Sequence, residues 1–290
     1  AGDQAGEQRW ALLGAHAVDD AVYPPHRPVQ GYEAIEHLEA LDPTAMLWVG
    51  NSTLVRGADR SSLSGYDLRY AAARNWEGLR SLQATVPQYA APGADDLGAS
   101  AVNGWRPLPM AARATFARFW PVAGRASPQD LSYHIAQGGV AAFVLDAFTN
   151  RNGQQRYGPA QLDWLLQGLE ANKTQPLRVV ALGEPLGTDS YRTESRALIK
   201  QLRAQARHGP ILLTAPGSSD TALIEHAPGL TQLVLGPFSR KPTSPSRVIP
   251  GQRIVTPGRV YGMLQQTPGE PPVLHLHSAT GEKLMTYPLQ

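Results

Sequence analysis

The residues of this chain that are able to do chemistry stand where its apolar runs end. "WALLGAH" (Trp10 to His16) climbs to an imidazole, and "LWVGNSTL" (Leu47 to Leu54) carries Asn51 directly after a glycine. "VPQYAAPGADDLGAS" presents the pair Asp95-Asp96. "VAAFVLDAFTNR" presents Asp146 and then Arg151, and "ILLTAPGS" ends at Ser218. Carboxylates, an imidazole and a carboxamide are ligand types for a divalent cation. Loops at the carboxyl ends of parallel strands are where α/β proteins gather such groups. Each residue also has a purely structural reading. Asn51 equally reads as a turn former, Asp95-Asp96 beside Gly98 as a solvated turn, and Asp146 as a cap on the turn that follows it.

Other constellations carry less. His275 and His277 alternate on one face of "VLHLH" and could share a metal, but a late edge strand is expected to leave them in solvent. Glu225 and His226 are adjacent, so their side chains diverge in either regular structure and make a poor acid–base pair. Ser218 and Ser219 in "PGSSD" lack the flanks of a nucleophile elbow. No Gly-x-Ser-x-Gly, Walker loop or His-Glu-x-x-His stands anywhere in the sequence.

The elements that must position these groups alternate between strand and helix patterns. "WALLGAH", a helix over Tyr32–Leu41 with Ile35, Leu38 and Leu41 at helical spacing, and "AMLWVGN" (Ala45 to Asn51) predict a parallel pair. One helix is expected over Tyr66–Gln83, with Leu68, Ala72, Trp76, Leu79 and Leu82 on its apolar stripe. A second spans "PMAARATFARFW". "LSYHIAQGGVAAFVLDA" reads as two strands joined at Gly138-Gly139, and "VAAFVLD" is apolar enough to be buried on both faces. "PAQLDWLLQGLEAN" has Pro159 in its first turn and a leucine stripe. "LRVVALGEP", a helix over Glu194–Arg207 and "GPILLTAP" continue the alternation. After Gly229 the chain turns to strands and prolines, with a long exposed excursion expected over Ser239–Arg253. A central β-sandwich flanked by helices in a single domain, 1–290, fits this order.

Composition narrows the class. Of 290 residues 42% are hydrophobic and only 17% charged, which supports a sizeable core and excludes a disordered chain. The net charge of +2 is too small to draw nucleic acid or an anionic membrane, so neither is an expected partner. No apolar run approaches the ~20 residues of a membrane span. Cysteine is absent, which excludes disulfides and thiolate metal sites from these residues. The opening Ala-Gly-Asp lacks an initiator Met and reads as a mature chain after signal-peptide removal, in the bacterial periplasm or secreted, with an artificially trimmed chain as the alternative.

The order and spacing of the quoted segments resemble the alkaline phosphatase D (PhoD-like) family of metallophosphoesterases. "LWVGNSTL" stands where that family has an apolar strand ending Gly-Asp, and "APGADDLGAS" where it has Trp-Asp-Asp-His-Asp-Tyr-Gly. "VAAFVLDAFTNR" is similar to its strand ending Leu-Asp-x-Arg-x-x-Arg. "YGPAQLDWLLQGL" resembles its Leu-Gly-x-x-Gln-x-x-Trp-Leu signature, the most specific single match. "ILLTAPGS" sits at its Ser-Gly-Asp-x-His, and "RVYGMLQQ" resembles its closing Asn-Phe-Gly strand. The resemblance implies a calcineurin-like metallophosphatase fold, a four-layer α/β/β/α sandwich.

The family's activity needs two metal ions that clamp phosphate oxygens and generate hydroxide, and the matching positions depart from its ligand set. The Gly-Asp aspartate is Asn51. Aligned on Gly98, only Asp96 keeps its identity and Asp95 takes the histidine's place; a short deletion would instead make Asp95-Asp96 the first acidic pair. The arginine after Asp146 is Phe148, although Arg151 persists. Pro216 replaces an aspartate and Ser218 a histidine, while His16 stands where a polar ligand-side residue is common. The expectation is a pseudoenzyme without a cofactor, an exported binding or scaffolding protein with a protein partner in the cell envelope or an extracellular assembly. Its vestigial cleft would hold His16, Asn51, Asp95, Asp96, Asp146, Arg151 and Ser218. Arg240, Lys241, Arg247 and Arg253 mark a loop where the partner could dock. The alternative is a phosphomonoesterase or phosphodiesterase with a reduced site, one metal (Ca, Mn, Fe or Zn) held by His16, Asp95 and Asp96.

Overall fold

The computed structural model of the protein describes residues 6–16, 33–75, 77–98, 110–121, 131–187, 191–240 and 252–290. β1 (Gln8–Leu13), α1 (Glu33–Ala40) and β2 (Ala45–Trp48) form the parallel pair that the opening pattern predicts. β3 (Gln88–Ala90) joins β2, again parallel. The first sheet is completed by β11 (Val260–Gln266), β12 (Val273–Ser278) and β13 (Lys283–Pro288), in the order β13-β12-β11-β1-β2-β3.

The second sheet is built from β4 (Tyr133–Gln137), β5 (Val140–Val144), β6 (Leu177–Ala181), β7 (Ile211–Pro216), β8 (Asp220–Ala227), β9 (Leu230–Leu235) and β10 (Gln252–Pro257). Its order is β10-β8-β9-β7-β6-β5-β4. Gly138 and Gly139 both have positive φ (56° and 88°), which closes the β4–β5 hairpin as their sequence signals.

Strand parity assembles four layers. Trp10 and Leu12 in β1 share a core cluster with Val140, Ala142 and Val144 in β5, so these face each other between the sheets. The alternate residues Ala11, Leu13 and Phe143 belong to the cluster formed with the helices. The helices α5 (Pro159–Ala171) and α6 (Arg192–Gln205) cover the second sheet. Each fully buried leucine, Leu12 among them, contributes about 2 kcal/mol by leaving water.

Three expectations are corrected. The single helix over Tyr66–Gln83 is two, α2 (Leu63–Arg74) and α3 (Glu77–Thr85), with Asn75 capping the first; α4 is Met110–Phe119. The buried face of α2 is Tyr66, Tyr70 and Ala73, while Leu68 is 66% exposed. The tyrosines turn inward because their hydroxyls find acceptors, Tyr66 on the Leu97 carbonyl (3.3 Å) and Tyr70 on that of Asp96 (3.0 Å). Trp76, expected on the same stripe, lies outside the described residues.

β12 is an interior strand, with β13 at the edge, so His277 is buried and stacks on Tyr261 at 5.1 Å. Finally, β8 and β10 were not expected. β8 pairs antiparallel with β9 and β10, and Arg253 sits on β10 opposite Leu223 rather than in a loop.

Candidate functional site

The carboxyl ends of six strands meet in one layer of very close backbone packing. A Cβ added at Gly14, after β1, would lie 2.0 Å from the Gly236 carbonyl oxygen after β9. The Phe238 amide donates to the Ala15 carbonyl at 2.9 Å, and the His16 amide to that of Asn51 at 2.8 Å. A Cβ at Gly93, after β3, would fall 2.2 Å from the Asn51 nitrogen. Pro216, at the end of β7, sets its ring against Gly50, and Gly183, after β6, abuts the Pro92 carbonyl. Pro216 therefore stands as a packing piece where the resemblance implies a ligand.

His16 is 2% exposed. Its Nε2 lies 3.0 Å from the Ala73 carbonyl oxygen, which can only accept, so Nε2 carries the proton. Burial pulls the imidazole down to about 4, against the pull of that carbonyl, so the ring is neutral at pH 7. Nδ1 then accepts from the Ser239 hydroxyl at 2.6 Å. The one lone pair that could bind a metal is spent on a residue 223 positions away.

Asn51 has φ 56°, a left-handed conformation in which asparagine is tolerated. Its Oδ1 accepts from the Asp95 amide at 2.9 Å, tying β2 to the β3 loop. Asp96 is fully buried. One oxygen accepts from the Ser52 hydroxyl (2.8 Å) and the Thr53 amide (2.7 Å), the other from the Gly93 amide (2.8 Å). Burial pushes the Asp96 carboxyl up to about 7, and these donors only partly offset it. Asp95, 4% exposed, receives the guanidinium of Arg240. The solvated-turn reading of this pair is overturned, because both carboxylates point into the protein and are bonded there.

The cap reading of Asp146 holds. Its Oδ1 accepts from the Phe148 (2.9 Å) and Thr149 (3.0 Å) amides and its Oδ2 from Leu131 (2.9 Å). Gln161 of α5 clamps the same residue, taking the Asp146 amide at 2.7 Å and donating to its carbonyl at 3.0 Å. Arg151 is engaged by Glu184 (3.0 Å) and the Tyr191 hydroxyl (3.0 Å). Phe148 is buried and Ser218 is exposed in the β7–β8 turn.

The expected docking loop is divided. Arg240 turns inward onto Asp95, Arg253 is exposed on β10, and Lys241 and Arg247 lie outside the described residues. The sequence places Glu184, beside Gly183, among the strand-end groups, but it carries no signal that pairs Ser239 with His16 or Arg240 with Asp95.

A binuclear metal centre does not fit these residues. Among the described residues no group of three His, Asp or Glu could hold a metal ion. His16, Asp95 and Asp96 are directed to three different internal partners. No chemical step through a metal follows from this donor set.

By sequence the chain matches no family model and no curated protein. By structure it is similar to a purple acid phosphatase, PPD1, from seeds of yellow lupin (Lupinus luteus), with a TM-score of 0.66 and 11% identity. The match covers 98% of this chain, which spans only 54% of that one. It is also similar to GAP50, the anchor in the inner membrane complex of Plasmodium, with a TM-score of 0.58, 12% identity and coverage of 98% and 89%. The chain has the calcineurin-like metallophosphatase fold, in the layered α/β/β/α form that the resemblance implies.

Proposed function

We propose that this chain is a catalytically inactive relative of the PhoD-like phosphatases that works as an exported binding or scaffolding protein. One observation carries the reading: the polar groups at the strand ends are bonded to the chain itself. Arg240 supplies to Asp95 the positive charge that a metal would bring, and Ser239 takes the free lone pair of His16. Glu184 and Tyr191 hold the cation that the resemblance would direct at phosphate. A buried carboxylate needs such partners, because an unpaired charge there costs several kcal/mol.

The fold is compatible with a non-catalytic role. The Plasmodium chain of this architecture is an anchor in the inner membrane complex. A protein partner in the envelope or an extracellular assembly is part of the same proposal, and so is export. Fractionation of the native cell followed by co-purification tests both.

The catalytic half is tested with 4-nitrophenyl phosphate and bis(4-nitrophenyl) phosphate in Mn²⁺, Ca²⁺, Fe³⁺ and Zn²⁺. The reading expects no turnover above that of Asp96→Ala. Turnover by the native chain that Asp96→Ala abolishes would overturn it in favour of a reduced one-metal site.

A further inference from the structure

On the helix-covered side of the first sheet, the carboxyl ends of α2, α3 and α4 border a cleft of about 450 Å³. Arg74 ends α2, Thr85 ends α3, and Phe119, Trp120 and Pro121 follow one another at the end of α4. Arg74 lies over the Trp120 ring, 4.1 Å from its centroid, and 5.1 Å from that of Phe119. Trp120 in turn packs against Trp48 in the core at 6.4 Å, so the aromatic platform is anchored.

The polar side chains lining this cleft are Arg74, Gln83, Thr85 and Gln88, and Arg74 is its one charged group among the described residues. Among the described residues the Arg74 side chain makes no hydrogen bond and no ion pair. The buried carboxylate that acts on Arg74 through space, Asp96, is bonded to Ser52, Thr53 and Gly93. Gln88, also on the wall, spends its amide internally, accepting from Trp48 and donating to the Val86 and Leu82 carbonyls. Arg74 thus presents a planar fork of donors on two aromatic rings, beside the Gln83 carboxamide on the same wall. Burial pulls the guanidinium down to about 10, while Tyr70 and Asp96 pull it the other way through space. A second cation has no place here, since Arg74 already sits on both rings. The volume falls in the range of small-molecule sites rather than protein interfaces.

We propose that this cleft binds a small organic anion. Its carboxylate or phosphate accepts from the guanidinium of Arg74, and its apolar ring or chain lies against Phe119, Trp120 and Pro121. A guanidinium fork matches either oxyanion in a bidentate pair, so the two head groups share one chemistry. The inference does not depend on whether the strand ends are catalytic.

Calorimetric titration of the full chain with benzoate, phenyl phosphate and benzamide tests it. One saturable site for at least one of the two anions is expected, with benzamide binding much more weakly. Benzoate alone would identify a carboxylate site, phenyl phosphate alone a phosphate site, and both a site for either. Arg74→Gln should weaken the bound anion about tenfold or more, the loss of a charge-assisted bidentate pair. Ala84→Trp, on the exposed wall of the cleft, should block binding while leaving the melting temperature unchanged. It decides the matter should Arg74→Gln fail to fold. Absence of a saturable anion site, equal binding of benzamide, or an affinity indifferent to Ala84→Trp would overturn the proposal.

Discussion

The guanidinium of Arg240 meets the carboxylate of Asp95 across 145 residues of chain, joining the segment after β9 to the loop after β3. Asp95 is buried and the Arg240 side chain is 34% exposed, so the pair is only partly desolvated. Arg240→Gln leaves a buried carboxylate without its cation and should cost about 2 kcal/mol in urea unfolding, below the range for fully buried pairs. The double variant with Asp95→Asn should recover most of that loss. Equal losses in the single and double variants would show that the pair is not what matters.

Asp96 and His16 give stability opposite pH dependences. The Asp96 carboxyl moves from 3.8 to about 7 on folding, so the folded chain binds more protons between those values and stability falls as pH rises through that window. His16 moves from 6.5 to about 4, so the unfolded chain binds more protons there and stability rises with pH. At about 1.4 kcal/mol per pH unit the two amount to about 4 and about 3 kcal/mol, and they oppose each other from about pH 4 to 6.5. His134, His226, His275 and His277 are also lowered by burial and add to the rise with pH. In urea titrations Asp96→Asn should therefore steepen the rise relative to the native chain, and His16→Gln should lessen it. Variants that keep the native profile would refute the assignment.

Tyr133 closes one margin of the sandwich. β4 and β3 are edge strands of different sheets, and the Tyr133 hydroxyl donates to the Ala90 carbonyl and accepts from the Ala90 amide, both at 2.8 Å. Tyr133→Phe leaves two buried backbone groups unpaired and should cost about 2 kcal/mol. Hydrogen exchange should show the Ala90 amide losing protection first. A variant as stable as the native chain would mean that water replaces the hydroxyl.

Gly14 and Gly57 should respond oppositely to the same substitution. Gly14→Ala forces a methyl group into the Gly236 carbonyl and should cost about 3 kcal/mol, the upper end of overpacking. Gly57 has helical φ and nothing within 4 Å of an added Cβ, so Gly57→Ala should be neutral or slightly stabilising. Thermal melts of the two variants measure the contrast. Equal shifts would show that the strand ends are not tightly packed.

The layers were legible because local periodicity encodes them. Ile35 and Leu38, the Gly138-Gly139 turn and the apolar run from Val140 each announce their element without help from distant residues. The α2 face was misread because Tyr66 and Tyr70 bury polar rings whose acceptors arrive from residues 96 and 97. β8 overlaps the turn-like segments "PGSSD" and "HAPG", which mask it, and Arg253 belongs to β10 although it closes the Pro-rich run that precedes that strand. Individual losses of ligand type at the strand ends could be read from Asn51, Phe148 and Pro216. What replaced the ligands could not, since Ser239 and Arg240 come from the loop after β9, 223 positions from His16 and 145 from Asp95. No local pattern links them to His16 and Asp95.

Metal binding at equilibrium tests the central claim most directly. The purified chain is dialysed against Mn²⁺, Ca²⁺, Fe³⁺ and Zn²⁺ in turn, and bound metal is measured against protein concentration. Partners supplied by the chain at His16, Asp95 and Asp96 predict no stoichiometric binding of any of the four. Stoichiometric metal that is lost in Asp96→Ala would contradict the account.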